Sequence, residues 1–110
     1  MLGRELKKGT IPLLVLSLLD VEPRHGYELS KLIESQSRGV VRVHAASLYP
    51  LLYKLEQKKW IAGRWVERPG ERRRRFYSLT AAGKRQLAKQ RAGWAEFARA
   101  VSQIAGVEYA

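Results

Sequence analysis

The 110-residue chain has no cysteine and no asparagine. Without thiols there is no disulfide framework, no cysteine–zinc site and no thiol nucleophile. Without asparagine there is no N-glycosylation acceptor. Asp20 is the only aspartate, which disfavours Mg²⁺ and Ca²⁺ sites built on clustered carboxylates. His25 and His44 are the only histidines, so neither a metal site nor a cofactor is expected. No Gly-rich phosphate loop, serine triad or paired-carboxylate arrangement is visible, and no catalytic residue or enzyme activity is expected. The longest apolar run, Ile11–Leu19, is about half of what crosses a bilayer. Lys7 and Lys8 precede it, but no small-x-small site follows. It therefore reads as a buried first helix rather than a signal peptide, and no membrane partner is expected. The absence of cysteine fits a cytoplasmic location.

What the chain does have is positive charge. Lys and Arg number 21 against 10 Asp and Glu, for a formal +11. Such an excess calls for a polyanion, with nucleic acid first. At 45% hydrophobic and 28% charged residues, the composition is that of one ordinary globular domain. The charge is unevenly placed. Nine bases face three acids between Lys54 and Arg75, whereas bases and acids cancel between Asp20 and Tyr53.

Periodicity supplies the elements. Ile11, Leu14, Val15, Leu18 and Leu19 form a helical stripe, with Thr10 as its cap and Pro12 in its first turn. Asp20–Arg24 reads as a polar connection. A second helix is expected from His25 or Gly26, carrying Tyr27, Leu29, Leu32 and Ile33 inward. Val40–Val43 reads as a short extended piece. A third helix follows, with Leu48, Leu51, Leu52 and Leu55 on one face. It starts either with Ser47 as N-cap or near Ala45 with Pro50 bending it. Two strands, Ala62–Glu67 and Arg73–Leu79, flank a turn at Arg68–Arg72. Thr80 then caps a long helix to about Ala105. Three helices, a basic hairpin and a long helix make a mainly α fold with a small β-hairpin. This is a winged helix-turn-helix over residues 1–79, with a C-terminal dimerisation helix over 80–110, in one compact unit.

With its leucines inward, the third helix turns Ala46, Pro50, Tyr53 and Gln57 outward, flanked by Tyr49 and Lys54. Ser47 and Tyr49 suit phosphates. Tyr53, Lys54 and Gln57 suit base edges, and Ala46 and Pro50 offer apolar contact only. Half-buried packing is the plainer alternative for Tyr49 and Tyr53. With Arg72, Arg73 and Arg74 on the wing and Tyr27 at the second helix, these make the expected DNA-binding set: Tyr27, Ser47, Tyr49, Tyr53, Lys54, Gln57 and the three arginines. His25 is expected beside the DNA backbone, where protonation would add a phosphate contact. On the last helix Leu87, Trp94, Phe97, Ala98, Val101, Ile104 and Ala105 approach heptad spacing. The expected dimer contacts are Trp94, Phe97, Ala98, Val101 and Ile104, with a second copy of the helix as their cover.

Three motifs then occur in order. His25-Gly26-Tyr27-Glu28-Leu29, Ser47-Leu48-Tyr49-Pro50-Leu51-Leu52 with Leu55-Glu56, and Phe76-Tyr77-Ser78-Leu79-Thr80-Ala81-Ala82-Gly83 resemble the PadR family of transcriptional regulators. The resemblance spans roughly Leu6–Ile104. His44 and Lys59 depart from it, standing where the family often has a small capping residue and a glycine. It implies a homodimeric repressor of the short form with one C-terminal helix, and it places Tyr49 at the DNA. It also makes Trp94 a position for a flat aromatic effector, against the plainer role of dimer core. Arg91, one turn away, favours anionic aromatics over cationic ones. The partners expected are a pseudo-palindromic double-stranded operator, a second copy of the chain and a small aromatic effector. The alternative is a basic winged-helix protein that binds RNA or coats DNA without sequence choice.

Overall fold

The computed structural model describes residues 4–108, with side chains described over 9–108. Residues 1–3 of the expected head and 109–110 of the expected last segment lie outside the described residues. The order is α1 (Arg4–Val21), β1 (Arg24–His25), α2 (Gly26–Gln36), α3 (Ala45–Gln57), β2 (Ile61–Val66), β3 (Arg74–Leu79) and α4 (Ala81–Ala105).

Helix α1 runs back past Thr10, so Pro12 sits inside it and not in its first turn. The segment Arg4–Lys8 is made of good helix formers, which outweigh the one backbone bond that Pro12 forfeits. Val15 and Leu16 are fully buried, so burial on α1 is wider than the expected stripe. The reason is that α1 lies at the centre, against α2, α4 and β3. Around it, Leu29 and Ile33 of α2, Leu48, Leu52 and Leu55 of α3, Ile61, Tyr77 and Leu87 close a single core.

The connection after α1 is not merely polar. Arg24 and His25 form a third strand, giving an antiparallel sheet ordered β1-β3-β2 with Arg24 opposite Tyr77 and His25 opposite Phe76. Two residues are too few to show a strand period. Arg24 is buried, and its Nε donates to the Leu18 carbonyl at 3.1 Å. It thereby satisfies the C-terminal end of α1, which has no basic residue in its own last turn. Its Nη1 meets Glu28 at 3.2 Å. Val40–Val43 is not a strand. Ser37 and Ser30 bind the backbone of Val41 and Val43 in place of a strand partner.

Helix α3 starts at Ala45, the second of the two expected starts, with Pro50 in its interior. The Ala46 carbonyl that a residue-50 N–H would have met lies on the exposed side, where water can replace it. Lys59 closes the helix at φ 64°. The Trp60 N–H bonds Leu55 and the Lys59 N–H bonds Glu56, the Schellman pattern that favours glycine at this position. Thr80 caps α4 by accepting from the Gly83 N–H at 3.0 Å. A Cβ at residue 83 would stand 2.0 Å from the Trp60 carbonyl oxygen, so only glycine lets α4 begin this close to the end of α3. The molecule measures 54 × 29 × 21 Å, and the long dimension reflects α4.

Candidate nucleic-acid interface

Helix α3 buries its leucines and leaves one continuous face bare. Ala46, Ser47, Tyr49, Pro50, Tyr53, Lys54 and Gln57 are all exposed. Tyr53 is 64% exposed, whereas Tyr49 is half-exposed at 50% with its ring against Gly26, as the plainer packing alternative has it. Gln57 donates to the Tyr53 hydroxyl at 3.1 Å, joining two of the groups suited to base edges. His44 is the N-cap of α3 and makes no side-chain cap bond. The N–H groups of Ser47 and Leu48 turn back to the His44 carbonyl at 2.9 and 3.2 Å. Tyr27, Lys31, Arg42 and Ser47 stand around a cleft of about 900 Å³ at this end.

Tyr27 is half-exposed and not inward as the helical pattern implied. It follows the capped start of α2 by one residue, and Leu29 and Ile33 take the buried face. Gly26 explains how α2 and α3 meet. A Cβ there would lie 2.9 Å from the Tyr49 ring, so a glycine at the start of α2 admits the tyrosine of α3. The first and second motifs therefore meet in one contact.

The wing carries its arginines on two faces, because strand residues alternate. Arg73 lies 4.4 Å over the Trp65 ring and 3.7 Å from Glu67. Arg75 lies on the same face, over Trp65 and Tyr77, and ends on Glu56 of α3. Arg74 takes the other face, with Nη1 3.4 Å from His25. Arg72 is exposed and, among the described residues, has no carboxylate partner. Gly70 at φ 75° forms the turn. A cleft of about 600 Å³ lies between this wing and the α2–α3 junction, lined by His25, Gly26, Tyr27, Tyr49, Trp65 and Arg72–Arg75. It brings together Tyr27, Tyr49, Arg72, Arg73 and Arg74. Ser47 borders the neighbouring cleft, and Tyr53, Lys54 and Gln57 lie farther along α3. The sequence reading missed Trp65. Its parity with Ile61 on β2 is the signal that turns it toward the α3 side.

His25 does not offer itself as a cation. Its Nδ1 accepts from the Glu28 N–H at 3.2 Å as the N-cap of α2. Its ring meets the edge of Phe76 at 5.1 Å. Burial first, then Arg74, holds its pKa below 6.5, against the smaller pull of Glu28. Protonation at Nδ1 would cost the cap and face Arg74, so the ring has a structural role that opposes the protonated form expected of it. Among the described residues no three potential metal-ligating side chains come together, and no helix is long and apolar enough to cross a membrane.

Among the described residues, the second half of α4 is largely exposed. Leu87 is buried, whereas Trp94, Phe97, Val101 and Ile104 are 39%, 53%, 43% and 90% exposed. Ala98 is half-buried. Trp94 and Phe97 stand 6.0 Å apart at a groove of about 300 Å³ against Pro12 and Leu13 of α1. Arg91 turns away to Asp20 at 3.8 Å and does not line this groove. The expected preference for anionic aromatics therefore loses its basis.

Residues 15–89 match the family model described as the transcriptional regulator PadR-like family. A PadR family transcriptional regulator from Eggerthella lenta is 33% identical. The match covers 94% of this chain and 88% of that one, at a TM-score of 0.80. A PadR-like transcriptional regulator from Bacillus cereus is 26% identical over 96% of this chain and 100% of that one, at 0.82. Bacillus subtilis PadR in complex with operator DNA is 23% identical, covering 71% of this chain and 44% of that one, at 0.65; this last likeness is one of fold.

Proposed function

Because the chain belongs to the PadR-like family of transcriptional regulators, we propose that it is a cytoplasmic, homodimeric repressor that binds a pseudo-palindromic double-stranded operator. The observation that carries this reading is the bare face of α3 standing beside the arginine-lined cleft of the wing. A helix with this face fits the major groove while the wing follows the backbone. Residues 1–79 form the DNA-binding head. Within it Tyr27, Ser47, Tyr49 and Arg72–Arg74 hold phosphates, and Tyr53, Lys54 and Gln57 reach base edges. So few base-reading groups leave much of the affinity electrostatic and part of the specificity to groove shape.

Residues 80–110 supply the dimer helix through Trp94, Phe97, Ala98, Val101 and Ile104. An apolar stripe this exposed on a long helix needs a cover, and a second copy provides it. Trp94, at the groove against α1, takes a small aromatic effector that relieves repression. Enrichment of random duplex DNA on the purified protein tests the function. A pseudo-palindromic motif supports it. Sequence-independent retention would favour a basic protein that coats DNA, and preferential retention of RNA would exclude the operator reading.

A further inference from the structure

The last arginine of the wing run is held unlike the other three. Its guanidinium lies across β2 at Gly63, where a Cβ would come within 2.6 Å of Nε, 2.7 Å of Nη2 and 2.8 Å of Cζ. Trp65 and Tyr77 flank it at 5.5 and 5.9 Å. Its Nη2 donates to the Glu56 carboxylate, in the last turn of α3, with both side chains 29% exposed. The residue thus has bare backbone beneath it, rings beside it and a carboxylate at its end. Among the described residues this is the one ion pair that joins α3 to the wing. Beyond Ile61 no residue of β2 is buried, and the other anchor of the hairpin, the pairing of Phe76 and Tyr77 with β1, ties it to the start of α2 and not to α3. Glu56 is also an acid beside a face that meets phosphates, where a negative charge opposes binding unless it does something else.

We propose that Arg75 is a positioning residue: clamped over Gly63 onto Glu56, it sets the angle between the wing and α3 before DNA arrives, and so governs sequence discrimination rather than phosphate affinity. This rests on reading α3 and the wing as the DNA-binding elements. Its neighbours Arg72, Arg73 and Arg74 are left to supply the electrostatic contacts. The fit of the helix into the groove and the track of the wing then depend on one rigid relation, which is what a preorganised interface requires.

The test uses the full chain, its enriched duplex and a scrambled duplex of the same composition. Glu56→Gln removes an acid near DNA. If Glu56 were only a surface charge, both duplexes would bind more tightly and in parallel. The clamp predicts a fall of about tenfold in the ratio of enriched to scrambled affinity, on the scale of one misread base pair. It also predicts a salt slope on scrambled duplex steeper by up to about 0.9, as Arg75 is freed for a phosphate. Gly63→Ala changes no charge and needs only the tip of Arg75 to shift, so it should reproduce the fall in ratio with the fold intact. The exchanged pair Arg75→Glu with Glu56→Arg should recover part of the ratio that either single change removes. A ratio unchanged in both Glu56→Gln and Gly63→Ala overturns the proposal. The DNA-free protein keeps this separate from the DNA reading. Both variants should speed amide hydrogen exchange in the hairpin beyond Gly63, and unchanged exchange overturns the clamp whatever the duplexes do. A wild-type chain that retains no duplex refutes the DNA reading instead.

Discussion

The two halves of α4 have similar apolar spacing and opposite surroundings. Gly83 and Leu87 are buried against the head, with Gly83 against the Trp60 carbonyl. Farther along the same helix, Phe97 and Ile104 are 53% and 90% exposed. The core of the head is closed by α1, α2, α3 and the sheet together with Leu87 of α4. The far half of α4 carries larger apolar side chains, which the described residues of its own chain leave largely exposed. An apolar stripe is therefore a demand for a cover and does not say which chain supplies it. Both parts are basic, with five bases against one acid along α4, but the arginine run lies on the head and the large apolar stripe on the arm. On the proposed reading, one surface meets a polyanion and the other a second copy.

Leu52→Ala should cost about 2–5 kcal/mol in denaturant unfolding, by an amount independent of protein concentration if the head is self-sufficient. Phe97→Glu with Val101→Glu should leave the head folded by circular dichroism yet convert dimers to monomers in sedimentation, because the new charges would be buried without partners. A double variant that stays dimeric would refute the assignment of the stripe.

The charged region is sharpened by replacing Arg72, Arg73 and Arg74 with Ala. Affinity should drop for every duplex, and the salt slope should become shallower by up to about 0.9 for each phosphate that is no longer neutralised. An unchanged slope would mean that these arginines face solvent in the complex. Within α3, Lys54→Ala or Gln57→Ala should cost operator affinity by roughly 1–3 kcal/mol, while Tyr49→Phe should weaken all duplexes alike.

The smallest effects are conformational. Lys59→Gly should raise stability by about 0.5–1 kcal/mol, since lysine is held at φ 64° in a left-handed position. The depressed pKa of His25 has a definite sign. The unfolded chain takes up the proton first, so stability contributed above pH 6.5 is lost as pH falls from there through the lower folded pKa. His25→Asn, which keeps an N-cap acceptor, should flatten that part of the pH profile of unfolding.

Most of this division was legible in the residues. The helical stripes, the turn at Arg68–Arg72, the Thr80 cap and the uncovered apolar residues of α4 are local patterns, and local patterns survive without coordinates. What escaped was the meeting of distant segments. The strand at Arg24–His25 is defined only by its pairing with Phe76 and Tyr77. The burial of Leu16 depends on three elements surrounding α1. The arginine run looked uniform as a sequence, yet Glu56, 19 residues before Arg75, gives that one arginine a different task. Gly26 and Gly63 were silent until Tyr49 and Arg75 were seen against them.

On the proposed function, the head reads DNA and the far half of α4 sets two heads at a fixed distance. Random-duplex enrichment run side by side on the wild-type chain and the Phe97→Glu, Val101→Glu variant tests it most directly. Wild type should select two inverted half-sites with centres about one helical turn apart, or a multiple of that. The variant should select a single half-site at lower affinity. The same two half-sites recovered from both proteins would contradict the account.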